Sequence, residues 1–482
     1  YLDGVFGGAA FTPYEWGSLL LEYDARNVNG GVRLSTPSGW LPIGATAGVK
    51  VMAFSEGDDD NDNTYVSVGF SVPFGNRSTR AYKAPGDVQV RAPVVPAHQL
   101  ATGDRALQAA GRALVKAGYE AVEVGVRGDE LHVAYENNLY NRDERASVQE
   151  VENIVKAHVV DQYPVGQVIM KNQGIPVLRK PIRLDDTGRM AAWASNGHTA
   201  TQLVGPDDQE DVRWVYRNSF GPMWKPRLTL APRISSGVGT EYGVYDGSLA
   251  LNANLAMSGW AGFHVSGAYN APVSESEDFK RGGPFYGSRQ REGFNEVDLQ
   301  QAIKLGSGLF SAFHLGRYDF DYTGGFNQTV WVMPNGRHTF GVKAGGFEHQ
   351  DTQDQRELYL ASYRWYVPEY DAAFTVHGGK FWGEDDGYRL DARFWFGDYA
   401  MNLFYTRTDA QFVGIGWTLP LTPTRDYNHR YFQVKGRADW TYSVQSRVNE
   451  RRNALANGQA DILETSHPIE RLYLNNGRLW SD

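Results

Sequence analysis

The stretch YRLDARFWFGDYAMNLFYTRTDAQFVGIGWTLPL, Tyr388 to Leu421, decides the fold class. Tyr388, Leu390, Ala392, Phe394 and Phe396 alternate with Arg389, Asp391, Arg393 and Trp395. Gly397-Asp398 turns the chain. Met401, Leu403 and Tyr405 then alternate with Asn402 and Thr406. After a second turn, Arg407 to Gln411, Val413, Ile415, Trp417, Leu419 and Leu421 alternate with Gly414, Gly416 and Thr418. A period of two predicts strands. One face is apolar, and the other carries charges or small polar groups. Strands of about ten residues with this two-faced pattern, joined by tight turns, meet the demand that lipid places on a spanning backbone, since lipid offers it no hydrogen bonds. The expected fold is therefore mainly β: a transmembrane outer-membrane β-barrel.

Composition agrees with that expectation. At 482 residues the chain is long enough for about two or three domains. It has no apolar run near the ~18 residues of a spanning helix, and mean hydropathy is negative. Barrel strands escape hydropathy, because half of each faces a polar lumen. Aromatic residues make up 13%, with 27 Tyr and 13 Trp, and 54 Gly accompany them, which suits aromatic girdles and close strand packing. Cysteine is absent, so disulfides and thiolate zinc sites are excluded. A net charge of -9 argues against nucleic acid as a partner. No cofactor is expected. The chain begins at Tyr1 without Met or a signal peptide, so a mature or truncated chain of an exported protein is expected.

Taken in order, residues 1–80 form an N-terminal module of β-hairpins with roughly four strands, fewer than the eight of the smallest barrels. They form an incomplete first barrel or join the later strands. Gly69-Phe-Ser-Val-Pro73-Phe74 repeats in type as Gly416-Trp-Thr-Leu-Pro420-Leu421, a weak internal repeat that suggests two related β modules. Asp58 to Asn63 lacks the Gly and distal Glu of a calcium loop and is expected to be a solvated turn. A proline-rich linker, 81–98, leads to an inserted α/β domain, 99–182, of order αββαβ. Its second helix is expected to open on the capping box Ser147-Val-Gln-Glu150. A polar domain between membrane strands belongs outside the bilayer, here in the periplasm. Residues 183–211 form an acidic linker. The C-terminal barrel follows at 212–448 with about a dozen strands, and the polar tail 449–482 is expected to return to the periplasm.

Gly4-Val-Phe-Gly-Gly8, Glu22-Tyr-Asp24, Phe412-Val-Gly-Ile-Gly416 and Leu419-Pro-Leu421 resemble the YjbH-like family of bacterial outer-membrane proteins. The resemblance runs over nearly the whole chain, including the order of β segment, α/β domain and β segment. It implies a component of exopolysaccharide or capsule assembly and export that works with a lipoprotein partner and has no catalytic residues to carry over. It also implies a signal peptide and further N-terminal sequence beyond what is present here.

Two sets of residues carry chemistry. His264-Val-Ser266 places an imidazole and a hydroxyl on one strand face, the arrangement of an outer-membrane lipid hydrolase. Phe263, Val265 and Tyr269 form the apolar face, so His264 and Ser266 point with Asn270 into the lumen, away from lipid. A lumen hydrogen-bonding pair is the better reading, and no enzyme is expected. On the same inferred inner face, Arg227, Arg233, Lys304, Arg389, Arg393, Lys435 and Arg437 outnumber Glu296, Asp298, Asp391 and Asp439. Arg227, Arg233, Arg389, Arg393, Lys435 and Arg437 are the candidate binding residues for an anionic polysaccharide, since guanidinium groups fork onto carboxylates. A cross-strand ladder of ion pairs that stiffens the barrel is the competing use. Trp331, Trp365, Trp382, Trp395 and Trp417 are assigned mostly to interfacial girdles, with sugar stacking as the alternative. The expected partners are polysaccharide, outer-membrane lipid and periplasmic or lipoprotein components. The alternatives to export are a lipid-modifying hydrolase using His264 and Ser266 and a structural or adhesin barrel.

Overall fold

The fold is that of a computed structural model, which describes residues 7–14, 16–23, 28–36, 46–54, 64–71, 101–141, 144–159, 162–184, 201–205, 208–218, 223–240, 242–448 and 461–465. The acidic turn at 58–63, the 81–98 linker and most of the tail lie outside them. The chain is mainly β, with two α-helices among the described residues, and neither helix is long and apolar enough to cross a membrane. It divides into two units, Tyr1–Asp87 and Val88–Asp482.

In the first unit, β1 (Gly7–Tyr14), β2 (Gly17–Tyr23), β3 (Val28–Ser35), β4 (Thr46–Phe54) and β5 (Thr64–Ser71) form an antiparallel meander in chain order. That is one strand more than the alternation suggested. Phe11, Leu19, Val32 and Val51 pair in one cross-strand row, and all four are exposed. The opposite face buries Leu20 and Met52 and carries the Lys50–Glu22 ion pair at 2.8 Å.

The second unit opens with the α/β domain: α1 (Asp104–Ala117), β6 (Glu120–Arg127), β7 (Glu130–Glu136), α2 (Glu144–His158), β8 (Val165–Asn172), β9 (Ile175–Arg183), β10 (Gln202–Leu203) and β11 (Arg213–Arg217). Ala106, Leu107, Ala110 and Leu114 recur at helical spacing and are fully buried. Gly118, at φ 107°, ends α1 and lets the Tyr119 N–H reach the Leu114 carbonyl at 3.1 Å. The sheet order is β10-β9-β8-β7-β6-β11. The expected αββαβ is therefore incomplete, because β9 to β11 extend the sheet on both sides. β11 falls within the 212–448 span assigned to the C-terminal barrel, yet it pairs with β6, because Trp214 and Val215 find apolar cover in this domain.

The capping box is also corrected. α2 begins three residues before Ser147, whose buried hydroxyl lies 2.7 Å from the Tyr135 hydroxyl, while Glu150 accepts from Tyr119 at 2.8 Å. Buried tyrosines compete for the groups that a cap would use. Gly111 sits where α1 meets β11, and a Cβ there would lie 2.3 Å from the Tyr216 ring. Gly111→Ala is expected to destabilise by about 1–3 kcal/mol through overpacking, outweighing the ~1 kcal/mol by which Ala favours a helix. Denaturant unfolding checks this, and a stabilised variant would contradict the packing.

The second sheet holds β12 (Arg227–Thr240), β13 (Gly243–Ser258), β14 (Phe263–Glu275), β15 (Gly293–Gly306), β16 (Leu309–Tyr318), β17 (Tyr322–Val332) and β18 (His338–His349), all as an antiparallel meander. It continues through β19 (Gln355–Val367), β20 (Ala372–Lys380), β21 (Asp386–Phe396), β22 (Tyr399–Arg407) and β23 (Gln411–Leu419). One last segment supplies both margins: β24 (Gln433–Gly436) pairs parallel with β12, and β25 (Trp440–Arg447) pairs antiparallel with β23. The segment stays beside β12 past that pairing. Beyond β24, Trp440 Nε1 donates to the Pro232 carbonyl at 2.6 Å, and the Tyr442 and Ser236 hydroxyls lie 2.7 Å apart.

Burial in this sheet is inverted relative to a water-soluble one. Leu255, Leu299, Leu315, Val342, Trp365, Val376, Leu403 and Val413 are exposed, whereas Asn254, His264, Ser266, Asn270, Asp298, Gln300, Gln328, Thr406 and Thr418 are buried on the other face. Strict alternation makes each strand serve both faces. Trp331 and Trp365 lie on the exposed face, and Trp382 and Trp395 are buried.

Candidate functional site

The α/β domain covers one end of the polar face of the large sheet. Ile175, Val177, Ile182 and Leu203 share one apolar core with Ala302, Phe310, Ala312, Val330 and Val332, at the ends of β15, β16 and β17. Gly262 N–H donates to the Gln173 carbonyl at 2.7 Å, and Asp426 N–H to the Leu139 carbonyl at 2.7 Å. These contacts gather on the margin where β12 begins. The connection 420–432 between β23 and β24 reaches the same domain: Arg425 donates to the Ala117 carbonyl at 2.8 Å and Asn428 to the Gly118 carbonyl at 3.0 Å.

A buried ionic cluster lies at this junction. The Glu120 carboxylate on β6 accepts from Lys225 Nζ at 2.7 Å, from Arg227, from Asn138 at 2.8 Å and from Asn428 at 3.2 Å. Burial pushes this carboxyl up, but Arg227 and Lys225 outweigh burial and hold it below the ordinary glutamate value. Glu136, also buried, goes the other way: burial dominates over Arg227, the neighbouring Glu120 adds to it, and its pKa is raised although the Gly174 N–H donates to it at 2.9 Å. Beside them a cleft of about 380 Å³ lies between the Gln173-Gly174 turn and Ser258–Ala261, with Glu136, Lys171 and Arg227 in its wall.

This geometry redistributes the basic residues expected to line one lumen wall. Arg227 is committed to Glu120, Lys435 donates to Asn141 of the α/β domain at 3.0 Å, and Lys304 donates to the Pro176 carbonyl at 3.0 Å. Three of the seven therefore hold the domain. Arg389 forks onto Asp391 at 2.9 and 3.0 Å and stacks 4.4 Å from the Phe404 ring centroid. Arg393 donates to Thr418 at 3.1 Å, and Arg437 pairs with Asp439 at 3.1 Å. Arg233 donates to the Asn295 amide oxygen at 2.9 Å once that amide is oriented to satisfy its neighbours. Of the six candidates, only Arg389 and Arg393 share a strand without touching the α/β domain. Glu120, Lys225 and Asn428 escaped sequence reasoning, because nothing in a strand-starting Glu or a Lys-Pro-Arg connection marks them as mutual partners.

His264 and Ser266 are both buried on the polar face. His264 Nδ1 lies 3.3 Å from the Ser258 hydroxyl, and the Ser266 hydroxyl has no hydrogen-bond partner among the described residues, so the activating contact of a His–Ser pair is not formed. The neighbouring position on β15 is Asp298, which accepts from Tyr318 at 2.6 Å and lies 3.0 Å from His314 Nδ1. Among the described residues, no group of three or more His, Asp or Glu is placed to hold a metal ion.

The described tail residues, 461–465, lie on the polar face of the large sheet as well. Trp382 N–H donates to the Asp461 carbonyl at 2.9 Å, Lys343 Nζ donates to the Leu463 carbonyl at 2.6 Å, and Leu463 is buried. β25 runs away from the α/β domain, so the chain leaves the sheet at the opposite margin, and an apolar patch there gives Leu463 cover.

Among curated proteins none matches this chain. Of solved structures, the P pilus usher (PapC) translocation pore is similar over 92% of this chain and 88% of its own, at 11% identity and a TM-score of 0.18, a likeness too slight to bear on the fold. A family model described as exopolysaccharide biosynthesis protein YbjH matches residues 2–416. With the match spanning most of the sequence, the chain belongs to the YjbH family of exopolysaccharide biosynthesis proteins.

Proposed function

We propose that the chain is an outer-membrane β-barrel component of exopolysaccharide or capsule assembly and export, which handles an anionic polymer on its polar inner face. The observation that carries this reading is the inverted burial of the large sheet: a belt of exposed Leu, Val and Trp backs onto buried Asn, Gln, Ser, His and Asp. Twelve antiparallel strands, β12 to β23, would then close through the 433–447 segment, which pairs with β12 at β24 and with β23 at β25. On this reading the α/β domain is periplasmic and offers the face on which a lipoprotein partner docks. Arg389, Arg393 and Arg437 supply local cationic charge to the polymer path, each steadied by a neighbouring Asp or Thr. The role is binding and conduction, with no catalytic step.

A strain lacking the gene is expected to lose surface and released exopolysaccharide, with recovery on complementation. The protein itself should require detergent and shift in gel mobility on heating. Normal polymer output from the deletion strain would overturn the functional reading. A detergent-independent soluble monomer would overturn the membrane reading.

A further inference from the structure

The polar face of the large sheet changes character along its length. Over β13 to β15 it carries amides, carboxylates and His264, but farther round it becomes aromatic. Tyr318, Tyr322, Phe326 and Phe347, with Trp382 from the turn between β20 and β21, form one patch. Trp382 meets Phe347 edge-on with centroids 4.8 Å apart and Tyr322 at 5.5 Å, while Tyr318 meets Phe347 at 5.6 Å. The Arg356 guanidinium lies over both Tyr322, at 3.8 Å, and Trp382, at 4.7 Å, and donates to the Tyr322 hydroxyl at 2.7 Å. Large aromatic rings are unusual on the inner side of a barrel-type sheet, whose interior is polar. A continuous patch there needs something apolar to cover it.

The cover is the chain's own 461–465 segment. Leu463 fills the aromatic patch, and the segment is held by donors at its edges: the Trp382 backbone N–H and the Lys343 ammonium, each on a main-chain carbonyl. An apolar body flanked by oxygen acceptors is also the chemistry of a sugar ring. Its axial C–H groups stack on aromatic faces, and its hydroxyl or carboxylate oxygens take the donors. Both of these holding contacts use main-chain carbonyl oxygens, acceptors that an oxygen-rich ligand reproduces.

We propose that this patch is a saccharide-stacking site built on Trp382, Tyr322 and Phe347, with Arg356 and Lys343 at its polar rim, and that residues 461–465 cover it until a polysaccharide displaces them. The site rests on the polysaccharide reading above and adds the place where the polymer stacks. Displacement follows from competition: the apparent affinity equals the intrinsic affinity reduced by the fraction of molecules with the segment off.

The test begins with the unaltered full chain in detergent, using cellohexaose as a neutral probe and hexagalacturonate as an acidic one. At saturating probe, amide hydrogen exchange at 462–465 should rise at least about fivefold, while exchange in β16 to β19 stays unchanged. Unchanged exchange at 462–465 with both probes overturns the proposal. Leu463→Asp, which puts a charge among the rings, should raise probe affinity about tenfold or more by calorimetry, and Trp382→Ala in that background should remove the gain. If Leu463→Asp loses its heat-modifiable band, Leu463→Ser is read in its place. A gain for hexagalacturonate alone assigns Lys343 and Arg356 the larger part, and an equal gain for both probes assigns it to the rings. Normal polymer output from the deletion strain would sink the polysaccharide reading however these variants behave. Lost output with unchanged exchange and affinity would sink the stacking site alone.

Discussion

Alanine in place of Glu120 is expected to destabilise the protein by about 3–5 kcal/mol, because it strands two cations in a buried junction. The carboxylate is the shared anion of Lys225 and Arg227, and all three side chains are under 10% exposed. Removing the anion recovers neither the desolvation of the two cations nor the hydrogen bonds of Asn138 and Asn428. Replacing the whole cluster with apolar groups of matched volume would be far milder, since a complete buried ion pair contributes little net stability. The pH dependence is set by the direction of the shift. Glu120 titrates below its unfolded value, so its contribution is present above the unfolded pKa and is lost as pH falls through the folded one. Glu136 is raised, so its contribution is present at low pH and is lost as pH rises through its folded pKa. Denaturant unfolding of Glu120→Ala, Glu120→Gln and Glu136→Gln between pH 3 and 8 separates the two. Near neutrality Glu136→Gln should be neutral or stabilising, and a Glu120→Ala loss below about 1 kcal/mol would mean that the cations find other partners.

The second large effect concerns the outward belt. Leu315 stands on β16, 61% exposed, opposite Leu299 on β15. On a water-facing surface, Leu315→Arg would change stability by no more than about 0.5 kcal/mol in either direction. In a bilayer, an Arg near mid-strand costs about 2–4 kcal/mol, falling toward the interfaces. Equilibrium unfolding in lipid vesicles should therefore show a loss of that size for Leu315→Arg, and less for an Arg placed at Leu305, near the strand end. A flat response across both positions would mean that water bathes the belt.

Much of the β architecture was legible because alternation is a local signal. Phe394 to Leu419 declare two faces within three strands, and the structure keeps both faces where the pattern put them. The helix at Asp104–Ala117 was equally plain, since its stripe and its terminal Gly118 are encoded in neighbouring residues. What could not be read was the set of partnerships between residues distant in sequence. Arg227 alternates like any inner-face residue, yet its partner Glu120 lies more than a hundred positions away. Lys435 was assigned to a polymer, and Lys304 to the same basic inner face, for the same reason, although each meets the α/β domain. Ser147 carried a genuine capping signature, and it lost to the Tyr135 hydroxyl, which only the folded domain brings near. β11 looked like a barrel strand because a five-residue segment has too few alternations to say which sheet it joins.

The parallel pairing of β24 with β12 is a matter of parity. A meander whose last pass runs in the same direction as its first has made an odd number of passes, so the chain arrives at one rim and departs from the other. Here it arrives beside the α/β domain, and the chain beyond β25 starts from the far rim, from which 461–465 turn back onto the inner face. The polar face is consequently approached from both ends by the same polypeptide, and among the described residues the two apolar clusters share none. In an even-numbered meander both flanking segments would crowd one rim and leave the other bare. The odd pass therefore sets the α/β domain and the 461–465 segment at opposite ends of one polar face, so that the packing of either can be altered without touching the other.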